Sequence, residues 1–226
     1  SNHRYHKWKN LIHGFEPMAA NQLWAADITY IMLNNGDVCY LHLITDAYSR
    51  MIVGWELADT LRASITIKAL EQAISQTGGV SLEGLIHHSD RGVQYCCDDY
   101  VRTLQTHKIK ISMTEDYNPT DNAIAERANG VIKTETVYSR KTFNSLEHAR
   151  NVIGRFIHFY NYRRPHMSIG YKIPAVVHTE TGAQKKMWKK KNYTKKMYNN
   201  ENNGISLPCR TTGEDDGCNH HTVYSI

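Results

Sequence analysis

The sequence predicts an α/β domain in which helices flank a mixed five-stranded sheet. Residues 23–57 carry strand patterns, and further along the chain an apolar period near 3.6 residues marks helices. The predicted elements follow one another in the order βββ, α, β, α, β, α, which implies a mixed sheet with covering helices. The chain has 226 residues, 41% apolar and 22% charged, which is typical of a folded domain with its own core.

The first three predicted strands form an antiparallel unit. Leu23–Leu33 is apolar on both alternating faces, which predicts a central strand that is covered on both sides. Asn35-Gly36 predicts a type I′ turn into a second strand over Val38–Thr45. A third strand, over Met51–Leu57, follows a turn at residues 47–50.

Helices alternate with two further short strands. The remaining predicted elements are a helix from Ala63 that Gly78-Gly79 ends, a strand over Gly84–His88, a helix over Cys97–His107, a strand over Ile109–Met113, a helix over Asp121–Tyr138 and a helix over Ser145–Arg163. Asn144 with Glu147 resembles a capping box at the start of the last helix, and Pro165 ends it. This element order matches a ribonuclease-H-like architecture.

Two aspartates lie where the predicted fold makes a carboxylate noteworthy. Asp27 is in the middle of the first strand, where a buried charge is costly. It is therefore either a hydrogen-bonded core residue or a ligand of a cation. Asp90 ends the fourth strand, at the sheet edge where functional sites collect, although an ordinary turn residue is the alternative. We interpret Asp46 as such a turn residue.

A third acid lies on the predicted helix over Asp121–Tyr138. The apolar stripe that we expect to face the sheet consists of Ile124, Ala128 and Val131. At 100° per residue, the opposite, polar face carries Asn122, Glu126, Asn129 and Lys133. The alternative is a solvated helix face without a chemical role.

Three motifs surround these acids at a specific spacing. The chain runs LWAADITY around Asp27, HSDRGVQY around Asp90 and NPTDNAIAE up to Glu126, with 35 residues between the last two acids. The final helix ends in YNYRRPH. Together the motifs resemble the DDE transposase and retroviral integrase superfamily, most of all the OrfB-type transposases of the third insertion-sequence family. The resemblance covers roughly residues 10–182, and it departs from the family at Ala26 and Tyr117.

The resemblance implies both an activity and a set of metal ligands. Asp27, Asp90 and Glu126 would be catalytic and would hold two Mg²⁺ ions, or Mn²⁺, with Asp27 as the bridging ligand. Two such cations activate an oxygen nucleophile and stabilise the leaving oxygen of a phosphodiester, and hard cations prefer carboxylates. Water would cut the DNA at the element's end, and the 3′-hydroxyl freed there would attack a second phosphodiester.

The same resemblance implies DNA contacts around the acids. Lys133 is expected to hold a phosphate, and Arg91, Asn122 and Asn129 are further candidates for backbone contacts. Residues 183–226 hold eight Lys or Arg against four Asp or Glu. Aromatic residues interleave the lysines there, which fits either a nucleic-acid backbone or a solvated tail. The candidate contacts in this segment are Lys185, Lys186, Lys189 and Lys190.

The domain prediction has three parts: an N-terminal extension or linker over residues 1–20, an integrase-type catalytic core over 21–182 and a basic, unfolded tail over 183–226. No run of 18 apolar residues occurs, so no membrane partner is expected. Five cysteines without zinc-finger spacing suit reduced thiols in a bacterial cytoplasm, near the nucleoid. The expected partners are element ends and target DNA, further copies of the chain, and an upstream helix-turn-helix domain or separate polypeptide.

Two other functions compete with that of a transposase core. A catalytically inactive DNA-binding remnant of a mobile element would share the fold, but the three acids are intact in this chain. A hydrolytic nuclease such as a ribonuclease H would also share it, but its arrangement of four acids differs. A transposase core that cuts and joins DNA is therefore the function that the sequence favours.

Overall fold

The strands alternate with helices in the predicted order. A computed structural model describes residues 3–115, 123–137 and 143–184 of the chain. Its five strands are β1 (Leu23–Met32), β2 (Val38–Asp46), β3 (Ile52–Ala58), β4 (Ile86–Ser89) and β5 (Lys110–Met113). The helices are α1 (Ala63–Gln76), α2 (Val93–Cys96), α3 (Asp98–Thr106), α4 (Ala123–Ile132), α5 (Leu146–Tyr162) and α6 (Pro174–Val177).

The five strands form one mixed sheet in the order β3-β2-β1-β4-β5. β1 pairs antiparallel with β2, and β2 with β3, whereas β4 runs parallel to β1 and β5 parallel to β4. The predicted mixed five-stranded sheet is therefore confirmed, with β1 at its centre. Because β4 is parallel to β1, the ends of these two strands meet at one edge of the sheet.

Helices cover both faces of the sheet. One apolar core unites Trp24 and Ala26 with α1 and α3, and a second unites Ile31 and Leu43 with α5 and the end of α4. α1 lies so close to β3 that a Cβ on Gly54 would come within 2.1 Å of the Ala69 carbonyl oxygen. Only glycine allows that approach.

Two local predictions, one of a turn type and one of a helix cap, are wrong. A type I′ turn needs positive φ at both central residues, but Gly36 has φ +88° and Asn35 is not among the residues of positive φ. The hairpin instead closes through a longer loop, in which Leu33 N–H donates to the Asp37 carbonyl at 2.8 Å. The cap of α5 is Ser145, whose side chain accepts from His148 N–H, and not Asn144 with Glu147.

The helix predicted over Cys97–His107 is confirmed as α3, Asp98–Thr106. The short helix α2 before it was not predicted, and the two are separate because Cys97 has an extended ψ of 149°. α4 continues as a π-helical turn over Lys133–Val137, while residues 121, 122 and 138 of the predicted helix lie outside the described ranges.

Segments before β1 and after α5 pack against the sheet domain. Trp8 packs on the core of α1 and α3, and Leu11 N–H donates to the Ser112 hydroxyl at 2.8 Å. A 3₁₀ turn over Met167–Ile169 follows α5, and Ala19 pairs with Thr181 in an isolated bridge. Within the described ranges, no helix combines the length and the apolarity that a membrane crossing requires.

Candidate active site

Asp27 lies in the central strand and is held by two hydrogen bonds. The Asn129 side-chain amide on α4 donates to Asp27 Oδ2 at 2.7 Å, and Ile28 N–H donates to Asp27 Oδ1 at 2.9 Å. β1 is fully buried from Leu23 to Ala26, but Tyr30 and Met32 are exposed. The prediction of a strand covered on both sides therefore holds only for its first half, and Asp27 lies where that cover ends.

The environment of Asp27 disfavours its charged form. Its pKa is raised to about 6, first because burial removes water from the carboxylate and also because Asp90 and Glu126 repel it. The hydrogen bonds from Asn129 and Ile28 act in the opposite direction but do not cancel the burial. Among the described residues, no Lys or Arg forms an ion pair with Asp27. Within the described ranges, no basic side chain thus pairs with the charge of this carboxylate.

Asp90 meets Asp27 at the sheet edge where β4 ends. Its Oδ1 accepts a hydrogen bond from Gly92 N–H at 2.9 Å, and a Cβ on Gly92 would lie only 2.9 Å from that oxygen. Asp27 and Asp90 both line a pocket of about 250 Å³, together with Tyr95. Burial raises the pKa of the Tyr95 hydroxyl well above its ordinary value, and the two aspartates add to that rise.

Glu126 lies on α4 near the two aspartates. Its side chain is exposed, and its charge contributes to the raised pKa of Asp27. However, Glu126 does not line the pocket of Asp27 and Asp90. No group of three or more His, Cys, Asp or Glu side chains within metal-binding reach occurs in the described ranges. The three-acid site of the sequence therefore stays a prediction, with two of its members in one pocket.

The burial of Asn129 corrects one part of the helical-wheel prediction. The buried residues of α4 are Ala125, Ala128, Asn129 and Ile132. Asn129 was expected on the polar face, but it is 5% exposed because its amide turns inward to Asp27. Ile124 and Val131 pack against the sheet cores as expected, and they also line a second pocket.

The remaining candidates for DNA contacts have different positions. Lys133 Nζ lies 4.2 Å from the ring centroid of Tyr30, which lines the pocket of the aspartates, so Lys133 is near its rim. Arg91 follows Asp90, and its carbonyl forms a 2.9 Å hydrogen bond with His3 Nε2. The candidates outside the described residues are Asn122, Lys185, Lys186, Lys189 and Lys190.

Asp46 is a structural turn residue, as its sequence position indicated. The carboxylate is fully buried and accepts from Tyr48 N–H and Ser49 N–H at 3.1 and 2.8 Å, and from Asn21 N–H at 2.8 Å. These bonds fix the tight turn between β2 and β3. Unlike Asp27, Asp46 has carboxylate oxygens that accept hydrogen bonds from several backbone N–H groups, so it needs no cation.

Family models match most of the described fold. Two models, each described as an integrase core domain, match residues 17–119 and 107–174. The chain belongs to the integrase core domain family. The resemblance to transposases and retroviral integrases is thereby confirmed.

Proteins of insertion sequences are similar to this integrase core chain. A putative transposase for element IS986/IS6110 of Mycobacterium tuberculosis is 36% identical over 174 residues, which is 76% of this chain and 62% of that protein. Transposase InsF for insertion sequence IS3A of Escherichia coli is 32% identical over 157 residues, 69% of this chain and 53% of that protein. The chain thus spans less than two thirds of the length of either relative.

Retroviral integrases share the fold of this integrase core. The catalytic core domain of HTLV-2 integrase, solved in complex with magnesium, superposes with a TM-score of 0.57 at 20% identity. That match covers 72% of this chain and 99% of the viral one. A simian T-cell lymphotropic virus intasome chain gives a TM-score of 0.62 at 20% identity, over 79% of this chain and 61% of that chain. The ribonuclease-H-like architecture is confirmed.

Proposed function

We propose that this chain is the catalytic core of a DNA transposase that cuts and joins phosphodiester bonds with the help of divalent cations. The observation that carries the proposal is the Asp27 carboxylate, partly buried beside Asp90 and without a basic partner among the described residues. A folded protein seldom retains such a charge unless a cation or a substrate uses it. Membership of the integrase core family makes DNA the expected substrate.

Divalent cations fit the residues around Asp27. The pocket is lined by carboxylate and other oxygen atoms that can coordinate a metal ion, and by no His or Cys among the described residues. Such a lining suits hard ions such as Mg²⁺ or Mn²⁺ better than zinc. Asp27, Asp90 and Glu126 would hold two such ions. When bound, these ions would polarise the phosphodiester and lower the pKa of the attacking water or hydroxyl.

The chain's own residues prepare the site for those ions. Asp27 must be ionised to serve as a ligand, and its pKa of about 6 places that change just below neutral pH. Asn129 fixes one carboxylate oxygen of Asp27, and Gly92 N–H fixes one of Asp90, so both acids are oriented in advance. Lys133, at the rim, would bind a phosphate of the strand that is being cut.

The proposed reaction has two steps on DNA. Water cuts the strand at the end of the element and frees a 3′-hydroxyl, which then attacks a phosphodiester of the target. No protein side chain becomes bonded to DNA, so neither a Ser nor a Tyr nucleophile is required. We also propose that the chain works as a homo-oligomer on DNA, with an upstream helix-turn-helix region or a separate polypeptide that recognises the ends.

The test is strand cleavage and joining on a labelled duplex that carries the element's own ends. With Mg²⁺ or Mn²⁺, Asp27→Asn and Glu126→Gln should each lower both rates by at least about 100-fold, because each removes charge that stabilises the transition state. The matched control is Asp99→Asn, which neutralises an exposed acid of α3. Near-normal joining by either active-site variant would contradict the metal assignment. DNA binding without any cleavage by the wild-type chain would favour a catalytically inactive DNA-binding module.

A further inference from the structure

A second, larger pocket than that of the aspartates lies on the other flank of α4. It has a volume of about 640 Å³ and is lined by residues of α4, of the turn between β2 and β3 and of the YNYRRPH segment that ends α5. Its lining residues on α4 include Ile124, Arg127 and Val131. At 100° per residue they lie roughly 160–220° around the helix from Asn129, which holds Asp27. The proposed active site does not use this pocket.

Two residues that line the pocket, Arg50 and Thr45, carry buried polar atoms without partners. Nε and Nη1 of Arg50 and Oγ1 of Thr45 are shielded from solvent, and none has a hydrogen-bond partner among the described residues. Buried polar groups are hydrogen bonded in the great majority of cases, so the described residues alone do not satisfy this wall of the cavity. Arg50 also has a left-handed φ of 67°, a costly conformation for a residue with a side chain.

The charge of the pocket is positive. Arg127 and Arg164 line it with Arg50, and Arg164 Nε donates to Glu135 at 3.1 and 3.2 Å. His166 has its pKa lowered to about 4, first by burial and then by the three arginines, so it is neutral at pH 7. The carboxylates of Glu135 and Asp46 offset part of this charge, so the three guanidinium groups leave a net excess of one positive charge. The ligand is therefore an anion.

The shape and walls of the pocket indicate a larger molecule than a simple ion. Most of the lining is apolar, and two aromatic rings, Tyr160 and Tyr171, contribute to it. Tyr171 is 60% exposed, so its ring is available for stacking. Guanidinium groups bind phosphate oxygens in pairs, and nucleic-acid bases stack on exposed aromatic rings. A nucleotide combines both features, with an anion at one end and a flat apolar base at the other.

We propose that this pocket binds one nucleotide of a DNA strand, with its phosphate on Arg50, Arg127 and Arg164 and its base against Tyr171. The choice of DNA as the source of the nucleotide rests on the proposed function. The site assigns a role to the YNYRRPH segment, which supplies Tyr160, Arg164 and His166. It also places a second DNA contact across one helix, about 10 Å wide, from the acids.

The test is the affinity of the 226-residue chain for a fluorescein-labelled single strand, measured by anisotropy in EDTA over a series of salt concentrations. Arg127→Gln should weaken binding about 5- to 20-fold and reduce the salt slope by about 0.7, the value for one phosphate contact on single strands. Tyr171→Ala should weaken binding about 3- to 10-fold and leave the slope unchanged, because stacking carries no charge. Arg127 and Tyr171 are exposed, so both variants are expected to fold.

The matched control is Arg102→Gln, which removes an exposed arginine from α3 on the opposite face of the sheet. Equal affinities and slopes for Arg127→Gln and Arg102→Gln would overturn the proposal. Thermal stabilisation by inorganic phosphate that Arg127→Gln abolishes, with unchanged DNA affinity, would also overturn it and leave a site for free anions. Because EDTA excludes metal-dependent cleavage, loss of binding in Arg127→Gln supports the pocket even if the wild type never cuts DNA.

Discussion

The two flanks of α4 carry opposite charges. On one flank Asn129 holds Asp27 beside Asp90, and the charge of Asp90 contributes to the raised pKa of Asp27. On the other flank Arg127 lines a pocket with Arg50 and Arg164. Asp27 has no basic partner among the described residues, and the three arginines outnumber the nearby carboxylates of Glu135 and Asp46. The difference indicates that one flank is built for cations and the other for anions.

The contrast with saturated polar groups elsewhere supports this interpretation. Asp46 is fully buried, but three backbone N–H groups and the Ser49 hydroxyl satisfy it. Asn161 is buried as well, and its side-chain amide exchanges two 2.9 Å hydrogen bonds with the backbone of Ile52. Asp46 and Asn161 are thus satisfied within the fold. Asp27, by contrast, has no basic partner among the described residues, and two buried nitrogens of Arg50 have no hydrogen-bond partner there.

The largest expected effect is a loss of strand cleavage, without a loss of DNA binding, when a residue of the acidic flank is changed. Asp90→Asn should lower strand cleavage in Mg²⁺ at least about 100-fold, because a proposed metal ligand loses its charge. The same variant should leave metal-free DNA affinity within about threefold, since Asp90 repels phosphates and does not bind them. Cleavage rates and anisotropy on the same preparations provide the comparison. An Asp90→Asn variant that cuts DNA normally would contradict the assignment of cleavage to the acidic flank.

A smaller effect is expected at the residue that joins α4 to Asp27. The Asn129 hydrogen bond lowers the Asp27 pKa, so Asn129→Ala should raise it further above 6. The acidic limb of the cleavage pH profile should then move to higher pH, with about a tenfold loss near pH 6.5 that recovers at higher pH. The control is Asn151→Ala, at an exposed position of α5. A uniform loss at every pH would indicate damage to the fold instead.

Protein stability should report the buried charge of Asp27 directly. Its pKa is raised from 3.8 in the free side chain to about 6 in the fold, so the folded state binds the extra proton between these values. Without metal, the free energy of unfolding should therefore fall as pH rises from about 4 to about 6, by on the order of 2 kcal/mol. Urea unfolding of Asp27→Asn should lack this decrease. Identical pH profiles for variant and wild type would contradict the raised pKa.

The smallest predicted change concerns the basic C-terminal segment. Removal of the residues after Gln184 should weaken non-specific DNA binding and reduce its salt dependence, because seven lysines between Lys185 and Lys196 are lost. Anisotropy with duplex DNA over a range of salt concentrations measures both quantities. Unchanged affinity and slope would mean that the segment is a solvated extension, and DNA contacts would then rest on the sheet domain.

The order of elements along the chain and the position of Asp27 were accessible from sequence because they depend on local patterns. A run of apolar residues on both faces located β1, and a charged residue within that run was conspicuous. The turn at Asn35 and the inward side chain of Asn129 were not accessible, since tertiary contacts decided them. In α4 the apolar stripe of Ile124 and Val131 packs on the sheet cores as predicted, but Asn129 is buried as well because its amide donates to Asp27.

The basic pocket had no comparable signal in the sequence. Its arginines come from three separate segments, at positions 50, 127 and 164, and each is unremarkable among its neighbours. Only the fold brings them together. The YNYRRPH motif was recognised as a family feature, but its role could be inferred only from the cavity that it lines.

The central claim, that the acids hold divalent cations, is tested most directly by Mn²⁺ binding. Electron paramagnetic resonance of free Mn²⁺ in a titration of the chain at pH 7.5 counts the ions that are bound. The account predicts binding by the wild type that Asp27→Asn and Glu126→Gln weaken by at least about tenfold, because each variant removes a carboxylate ligand. The Asp99→Asn control should bind as the wild type does. Equal Mn²⁺ binding by the wild type and the Asp27→Asn variant would contradict the account.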